Sequence, residues 1–504
     1  MSDQARRLPD RPNLRYLKQE AKRRLAAGEF ATLHEAQLAI AREHGLPSWT
    51  ALKEFIVAAR DRDRHAFRQV GWVISRFRGA GAPDWTPPAE AELQEHFGDS
   101  YLRLVPPRTM VGTLSRVAER LGADLVVTRE TALQLRAQVA DLRIEAMVEA
   151  DPPHRIAGLR MYPVGERVTD PRVATPTTRT SGAVPPAAVE VAEGSFAELG
   201  LVGLALAGAS RVPGQERPVT WTLACGWADL ERAEMLRPDH RFPAYGITKL
   251  ITSTVVLRLV ADGRVRLDDP ADAQLRTIRL ADEAVTVREL LSHTGGVDGP
   301  EEMFADEVPD AVSLLGPVVP CSGTRGGFAP GNGGYAVLGQ LIADVTGLPY
   351  PEAATRTVLE PLGMSRSWFP ASRPDVEVIT GHRLSEDGSM RPEPTRLCTV
   401  PAAGGLWTTA ADLVRFGHGW SSLLPDELVR EALRPHAVPH EAGARMGLGW
   451  LLNQSKDVAG HPGSGPGAAA SLIIRPDLGQ VGVTLTNRLV PIESVNGRLV
   501  RPIA

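Results

Sequence analysis

The sequence predicts an α/β (α+β) chain built in parts: a helical leader over residues 1–60, a small α+β domain over 64–165, a linker over 168–190 and a large mixed domain over 191–500. Three observations lead there. Apolar residues recur at helical spacing through the first 60 residues. A helical stretch followed by alternating apolar runs fills the next hundred. From about residue 191, helical patterns with glycine stops lead to two apolar strands near the end of the chain. A length of 504 residues accommodates roughly two to four domains.

In the leader, Leu14, Leu17, Ala21 and Leu25 share one helical face, and Leu33, Ala36, Leu38, Ala39 and Ile40 form a second apolar set. Pro47-Ser48-Trp49 opens a third segment, with Ser48 or Thr50 as its cap. The leader holds 11 basic and 7 acidic residues, a solvated basic face and not a nucleic-acid module, since no glycine-containing helix-turn-helix is present. The run LKQEAKRRL…EAQLAIAREHGLPSWTALKEF resembles a short leader module at the front of many actinobacterial proteins, and that resemblance implies no chemistry.

In the small domain, a helix over Ala89–Phe97 precedes alternating runs at Ala123–Thr128, Ala132–Ala140, Arg143–Val148 and Ile156–Leu159. The pattern HFGDSYLRLVPP…RIAGLRMYP resembles the ketosteroid-isomerase-like domain fused ahead of some β-lactamase-fold proteins, as in the clavulanic acid pathway. His96 and Asp99 are its pocket candidates, although surface polar residues are the commoner case. Residues 168–190, rich in Pro, Thr and small side chains, read as a linker or domain-crossing arm.

Composition narrows the partners. Hydrophobic residues make up 43% and charged residues 23%, enough for an ordinary soluble core. A net charge of −4 and a pI near 6.3 favour neither nucleic acid nor an anionic membrane. Cys225, Cys321 and Cys398 are sparse and odd in number, which fits a reducing compartment and no disulfide framework. The N-terminus has no apolar h-region, and the longest apolar run is about half the ~20 residues that span a bilayer, so a cytoplasmic location is expected. Neither CxxC nor HExxH occurs, so a structural or zincin-type metal site is not expected, and no cofactor is assigned.

The large domain carries the chemistry. Gly226-Trp227-Ala228-Asp229-Leu230 leads to Tyr245-Gly246-Ile247-Thr248-Lys249-Leu250. The block Thr286–Gly296 (TVRELLSHTGG) has capping-box spacing between Thr286 and Glu289 and stops at two glycines. Gly334–Gly339, Pro361–Met364, Gly404–Leu413, Gly447–Trp450 and Gly460–Gly463 follow in order, and the strands Ala469–Ile474 and Gln480–Thr486 close the chain.

Across about 300 residues, these blocks resemble the β-lactamase-related serine hydrolases and penicillin-binding proteins. The resemblance implies a transpeptidase-like domain, an antiparallel sheet flanked by helices. It also implies a Ser-x-x-Lys nucleophile and base on one helix face, a Tyr-x-Asn box that carries a proton and holds the substrate, and a His-x-Gly strand that lends a donor and a backbone N–H to an oxyanion hole. Here Lys249 stands but Gly246 occupies the serine position; Asn332 stands but Pro330 occupies the tyrosine position; His461 and Gly463 stand, with Ser464 as the backbone donor. The groups for covalent and proton-transfer work are missing and the orienting groups remain.

No other Ser-x-x-Lys and no G-x-S-x-G elbow occurs. Thr248, Ser464 and Tyr245 are the substitute candidates. Thr248 points ~100° away from Lys249 around the helix. Lys249, Tyr245 and His461 are therefore the catalytic candidates, and Gly246, Asn332, Gly463 and Ser464 the substrate-binding ones. Burying a lysine is costly without partners, so a lysine kept beside an absent serine points to a retained role, with simple ancestral pairing as the other reading. Three functions follow: a non-acylating enzyme of small-molecule, natural-product metabolism with Lys249 as acid or base; a ligand-binding or self-resistance pseudoenzyme; or an ester or amide hydrolase with a displaced nucleophile. The expected partner is a small molecule.

Overall fold

The computed structural model describes residues 14–43, one short helix and scattered positions between 48 and 111, the strands between 125 and 163, and most of 170–499. The chain divides into two compact units at Pro163/Val164.

The first unit begins with helices α1 (Leu14–Ala26) and α2 (Leu33–Glu43). Thr32 starts α2: its Oγ1 accepts from the Glu35 N–H at 3.1 Å, and the Glu35 carboxylate accepts from the Thr32 N–H at 3.0 Å. Leu17 and Ala21 of α1 pack on Ala36, Ile40 and Ala41 of α2, closed by Trp49 and Leu52. Helix α3 (Glu90–His96) is followed by the buried Phe97 and by Gly98, whose N–H donates to the Ile156 carbonyl at 2.8 Å. That bond ties the helix to a four-stranded antiparallel meander: β1 (Leu125–Arg129), β2 (Gln134–Val139), β3 (Leu142–Val148) and β4 (Ile156–Pro163). The helix and the four strands fall where the apolar runs place them.

The second unit is built on a nine-stranded antiparallel sheet. Its path runs β8 (Arg445–Met446), β9 (Leu451–Leu452), β10 (Ala459–Gly465), β11 (Ala468–Arg475), β12 (Gln480–Thr486), β6 (Gly203–Ser210), β7 (Val219–Asp229) and β5 (Thr178–Gly182), with Glu234–Met235 paired to β7. Strand β6 shows why both faces are covered. Leu204 and Leu206 meet Ala188, Ala192 and Phe196 of helix α4 (Pro186–Leu199) on one side. Ala205, Ala207 and Ala209 face the main core on the other, where the alternation of the strand places them.

The expectation of a linker over 168–190 is corrected here. Val173 is buried, 178–182 is an edge strand on β7, and α4 already begins at Pro186. The physical reason is that threonine suits a pleated edge and the β7 backbone needs partners, while Pro186 fits the first turn of a helix.

The main core holds α5 (Thr248–Ala261), α6 (Val287–Leu291), α7 (Gly333–Thr346), α8 (Pro401–Gly404) and α9 (Ala410–Gly419). Every residue from Thr248 to Leu257 is buried, so α5 is a central helix and its N-terminal turn is enclosed. Among the described residues no helix is long and apolar enough to cross a membrane.

Candidate active site

The site forms where the turn before α5 meets β10. Strand Phe242–Pro243 pairs with Trp407–Thr408, and the Ala244 N–H donates to the Leu406 carbonyl at 2.8 Å. The chain then turns through Tyr245–Ile247 into α5. Tyr245 has φ +43°, a region non-glycine residues seldom occupy. Its hydroxyl donates to the Pro466 carbonyl at 2.8 Å, its ring packs edge-on against Phe304 at 5.6 Å, and burial pushes its pKa far up. The sequence places Tyr245 among the catalytic candidates; the structure commits its hydroxyl to the backbone, where it holds the turn.

Gly246 follows, and the space a side chain needs there is taken. A Cβ on Gly246 would lie 2.5 Å from the Pro462 carbonyl oxygen and 3.1 Å from His461 Cε1. A Cβ on Gly463 would lie 2.1 Å from the Ala244 carbonyl oxygen and 2.9 Å from the Gly246 nitrogen. The two glycines let two backbones touch, the turn before α5 and strand β10. Ser464, next in β10, is exposed. Thr248 Oγ1 is buried and accepts the Leu406 N–H at 3.2 Å.

Lys249 lies in the first turn of α5 with 8% of its surface exposed. Its amine donates to Asn332 Oδ1 at 2.8 Å and approaches the Ala403 carbonyl at 3.5 Å, with the Tyr335 ring centroid 5.6 Å away. Burial lowers its pKa to about 8, because an ammonium loses its hydration there. Asn332 is the N-cap residue of α7, yet its side chain makes no cap bond; Oδ1 holds the lysine and Nδ2 faces Met303 Sδ.

His461 Nδ1 lies 2.5 Å from the Pro462 carbonyl, so Nδ1 carries the proton and Nε2 the lone pair. Burial, and then the Lys249 charge, lower its pKa to about 3.

The structure thus brings together Lys249, Asn332, His461, Gly246 and Gly463, and leaves the Tyr245 hydroxyl and the Ser464 side chain out. It adds His293, which sequence reasoning took only as part of a helix-ending block. His293 is buried with φ +59°, its carbonyl accepts the Ala329 N–H at 2.8 Å and its Nδ1 faces the Gly331 N–H at 3.4 Å. It therefore ties down the loop that carries Asn332. Burial, Lys249 and His461 keep its pKa well below the usual histidine value. The only sequence signal was a polar, bulky residue directly before Thr294-Gly295-Gly296. Cys398 is also buried near Lys249, its thiol pushed up by burial.

In the first unit, His96 Nδ1 lies 2.7 Å from Gln69 Oε1 and its ring stacks on Trp72 at 4.1 Å, while Asp99 lies outside the described residues. Among the described residues no group of three or more His, Cys, Asp or Glu side chains is placed to hold a metal.

This architecture is widely shared. A D-stereospecific amidohydrolase from Streptomyces sp. superposes with a TM-score of 0.53 at 22% identity, covering 64% of this chain and all of that one, which establishes the fold alone. In sequence, the chain is 28% identical over 280 residues to penicillin-binding protein 4 of Amycolatopsis lactamdurans, spanning 49% of this chain and 72% of the relative. It is 31% identical over 218 residues to esterase EstB of Burkholderia gladioli, spanning 38% of this chain and 53% of the relative. The D-aminopeptidase of Brucella anthropi matches at 25% over 262 residues, covering 48% of each chain. The match therefore spans only about half the length of EstB and of the D-aminopeptidase. The family description Beta-lactamase fits residues 203–501, well over half of the chain, and the protein belongs to that family of β-lactamase-fold hydrolases.

Proposed function

We propose that this chain is a serine-independent member of its family: a non-acylating enzyme of small-molecule, natural-product metabolism in which Lys249 is the acid or base toward a bound carbonyl compound. The observation that carries this reading is the contrast between two adjacent positions. At Gly246 the place of a hydroxymethyl group is filled by the Pro462 carbonyl, 2.5 Å from where a Cβ would sit. At Lys249 an amine with its pKa lowered to about 8 rests on neutral acceptors, poised to exchange a proton near physiological pH. His461, kept neutral by a pKa of about 3, offers the Nε2 lone pair as an acceptor beside the amine. Asn332 orients the amine. The sparse cysteines favour a cytoplasmic setting, and the expected partner is a small molecule.

A ligand-binding or self-resistance pseudoenzyme is the second reading, favoured by the close backbone contact between Gly246 and Gly463. A displaced nucleophile has less support, because Thr248 Oγ1 is occupied by a backbone N–H and Ser464 is exposed. The test is incubation with a fluorophosphonate and with a fluorescent penicillin, read by intact mass. No stoichiometric adduct is expected; an adduct on Thr248 or Ser464 overturns the proposal in favour of the hydrolase.

A further inference from the structure

Five of the 56 basic residues are lysines: Lys18, Lys22, Lys53, Lys249 and Lys456. Nearly everywhere else the cation is arginine, which does not lose its proton in proteins, whereas lysine does when desolvated. Among the described lysines, Lys249 is the buried one.

Its surroundings are unusual for a buried cation. The amine rests on an amide oxygen, a backbone carbonyl and the face of a phenol ring, all neutral. Loss of its proton strands no carboxylate. The ionisable groups facing it are His293, His461 and Cys398. No acidic side chain perturbs Lys249, His293 or His461. At Gly246, one turn before, there is no hydroxyl to compete for an electrophile. A primary amine that is neutral part of the time, in a basic environment without acids, is the arrangement that attacks a carbonyl carbon.

Resting on the serine-independent reading above, we propose that the Lys249 amine forms an imine with a small aldehyde or 2-oxo acid. The nitrogen lone pair bonds to the carbonyl carbon and the C=O π pair moves to oxygen, and one of the two nitrogen protons passes to that oxygen through water, giving a neutral carbinolamine. The hydroxyl then takes a second proton from solvent and leaves as water while the remaining nitrogen lone pair forms C=N, so that the product is a protonated imine that keeps one N–H. His461 Nε2, neutral at pH 7, lies beside the amine as a hydrogen-bond acceptor. Asn332 Oδ1, which accepts from the amine in the free protein, accepts from the protonated imine.

The experiment uses the full chain at pH 7 with glyoxylate or propanal and sodium cyanoborohydride, followed by peptide mapping. Only five lysines and the terminal amine compete, so the map is unambiguous. Reduced adduct is expected on Lys249 about 10-fold or more faster than on Lys18, Lys22 and Lys53, because its amine is neutral far more often. Adduct on Lys249 with either carbonyl compound supports the imine. Alkylation of the other lysines with Lys249 untouched overturns the imine. Lys249→Arg keeps the cation and should lose the adduct; should that variant not fold, the wild-type map decides alone. The two proposals fail separately: a fluorophosphonate adduct removes the serine-independent reading, whereas an unmodified Lys249 in unlabelled protein removes only the imine.

Discussion

Asp412 and Lys249 are both buried charges near the start of a helix, and their surroundings differ in kind. Asp412, fully buried in the first turn of α9, is saturated. Its Oδ2 accepts the Arg366 N–H at 2.9 Å and the Ser367 hydroxyl at 2.8 Å, Oδ1 pairs with Arg415, and its own N–H donates to Thr409 Oγ1. Its sign also suits a helix N-terminus. Lys249 has the wrong sign for that place and only neutral partners. A matched buried charge locks structure; an unmatched one is free to change protonation state.

Removing each charge should separate these roles most widely. Asp412→Ala leaves the Arg366 N–H and the Ser367 hydroxyl without their acceptor, while the half-exposed Arg415 turns to water, and the expected destabilisation is about 2–3 kcal/mol. Lys249→Met removes a desolvated charge and leaves Asn332 Oδ1 and the more distant Ala403 carbonyl without that donor, so stability at pH 7 should stay within about 1 kcal/mol of wild type while ligand binding or turnover is lost. Urea midpoints of both variants measure the gap. Equal losses would make Lys249 an ordinary structural cation.

Varying pH sharpens the same contrast. Lys249 has a folded pKa near 8, against 10.5 for the unperturbed side chain. Between those values the unfolded chain holds more protons, so stability rises with pH from about 8 to 10.5, and the cost of the buried ammonium is fully present below 8. Relative to Lys249→Met, the wild type should gain up to about 3 kcal/mol between pH 7 and pH 10.5. A flat difference would show that the amine is hydrated. On the acid side the histidines act in the same sense, in a lower pH window. His461 and His382, lowered to about 3 and about 4, stay neutral in the fold while the unfolded chain takes up protons below 6.5, so stability falls as pH drops through that window.

The next effect is steric. Gly246→Ala and Gly246→Ser should each cost about 1–3 kcal/mol, because the added Cβ meets the Pro462 carbonyl, and the two should cost nearly the same since the hydroxyl is not the obstacle. Gly246→Ser should not restore hydrolysis of activated esters. Backbone conformation does not forbid serine, as Gly246 is not among the residues with positive φ. Efficient ester hydrolysis by Gly246→Ser would mean that β10 yields at little cost and that the backbone contact is no barrier to acylation.

That steric fact also marks where reading the sequence ended. Lys249 and Asn332 were each legible as candidates from their motifs, the bond between them was not, and the capping box at Thr286 and Glu289 forms both of its bonds. The leader helices and the four-strand meander follow from periodicity. The Pro462 carbonyl against Gly246 joins backbones more than 200 residues apart, and no side-chain pattern reports a backbone-to-backbone distance. The edge strand at 178–182 was hidden because proline and threonine mark both arms and edges. The left-handed conformations of Tyr245 and His293 fall on residue types that seldom adopt them, so composition pointed the other way.

Tyr245 yields the smallest and most specific test. By type and position, a phenol one residue before Gly246 is a natural proton donor for the lysine. In the structure its proton is already given to the Pro466 carbonyl, and its pKa is pushed up, so at neutral pH it has no proton to donate to a ligand while that bond stands. Tyr245→Phe keeps the ring against Phe304 and deletes one buried hydrogen bond, with an expected cost of about 1 kcal/mol. Ligand affinity, turnover and the rate of Lys249 alkylation should be unchanged. A loss of any of these that exceeds the loss in stability would put the phenol back among the acting groups. It would also show that the turn opens when a ligand binds, since the hydroxyl can reach the site only by leaving Pro466.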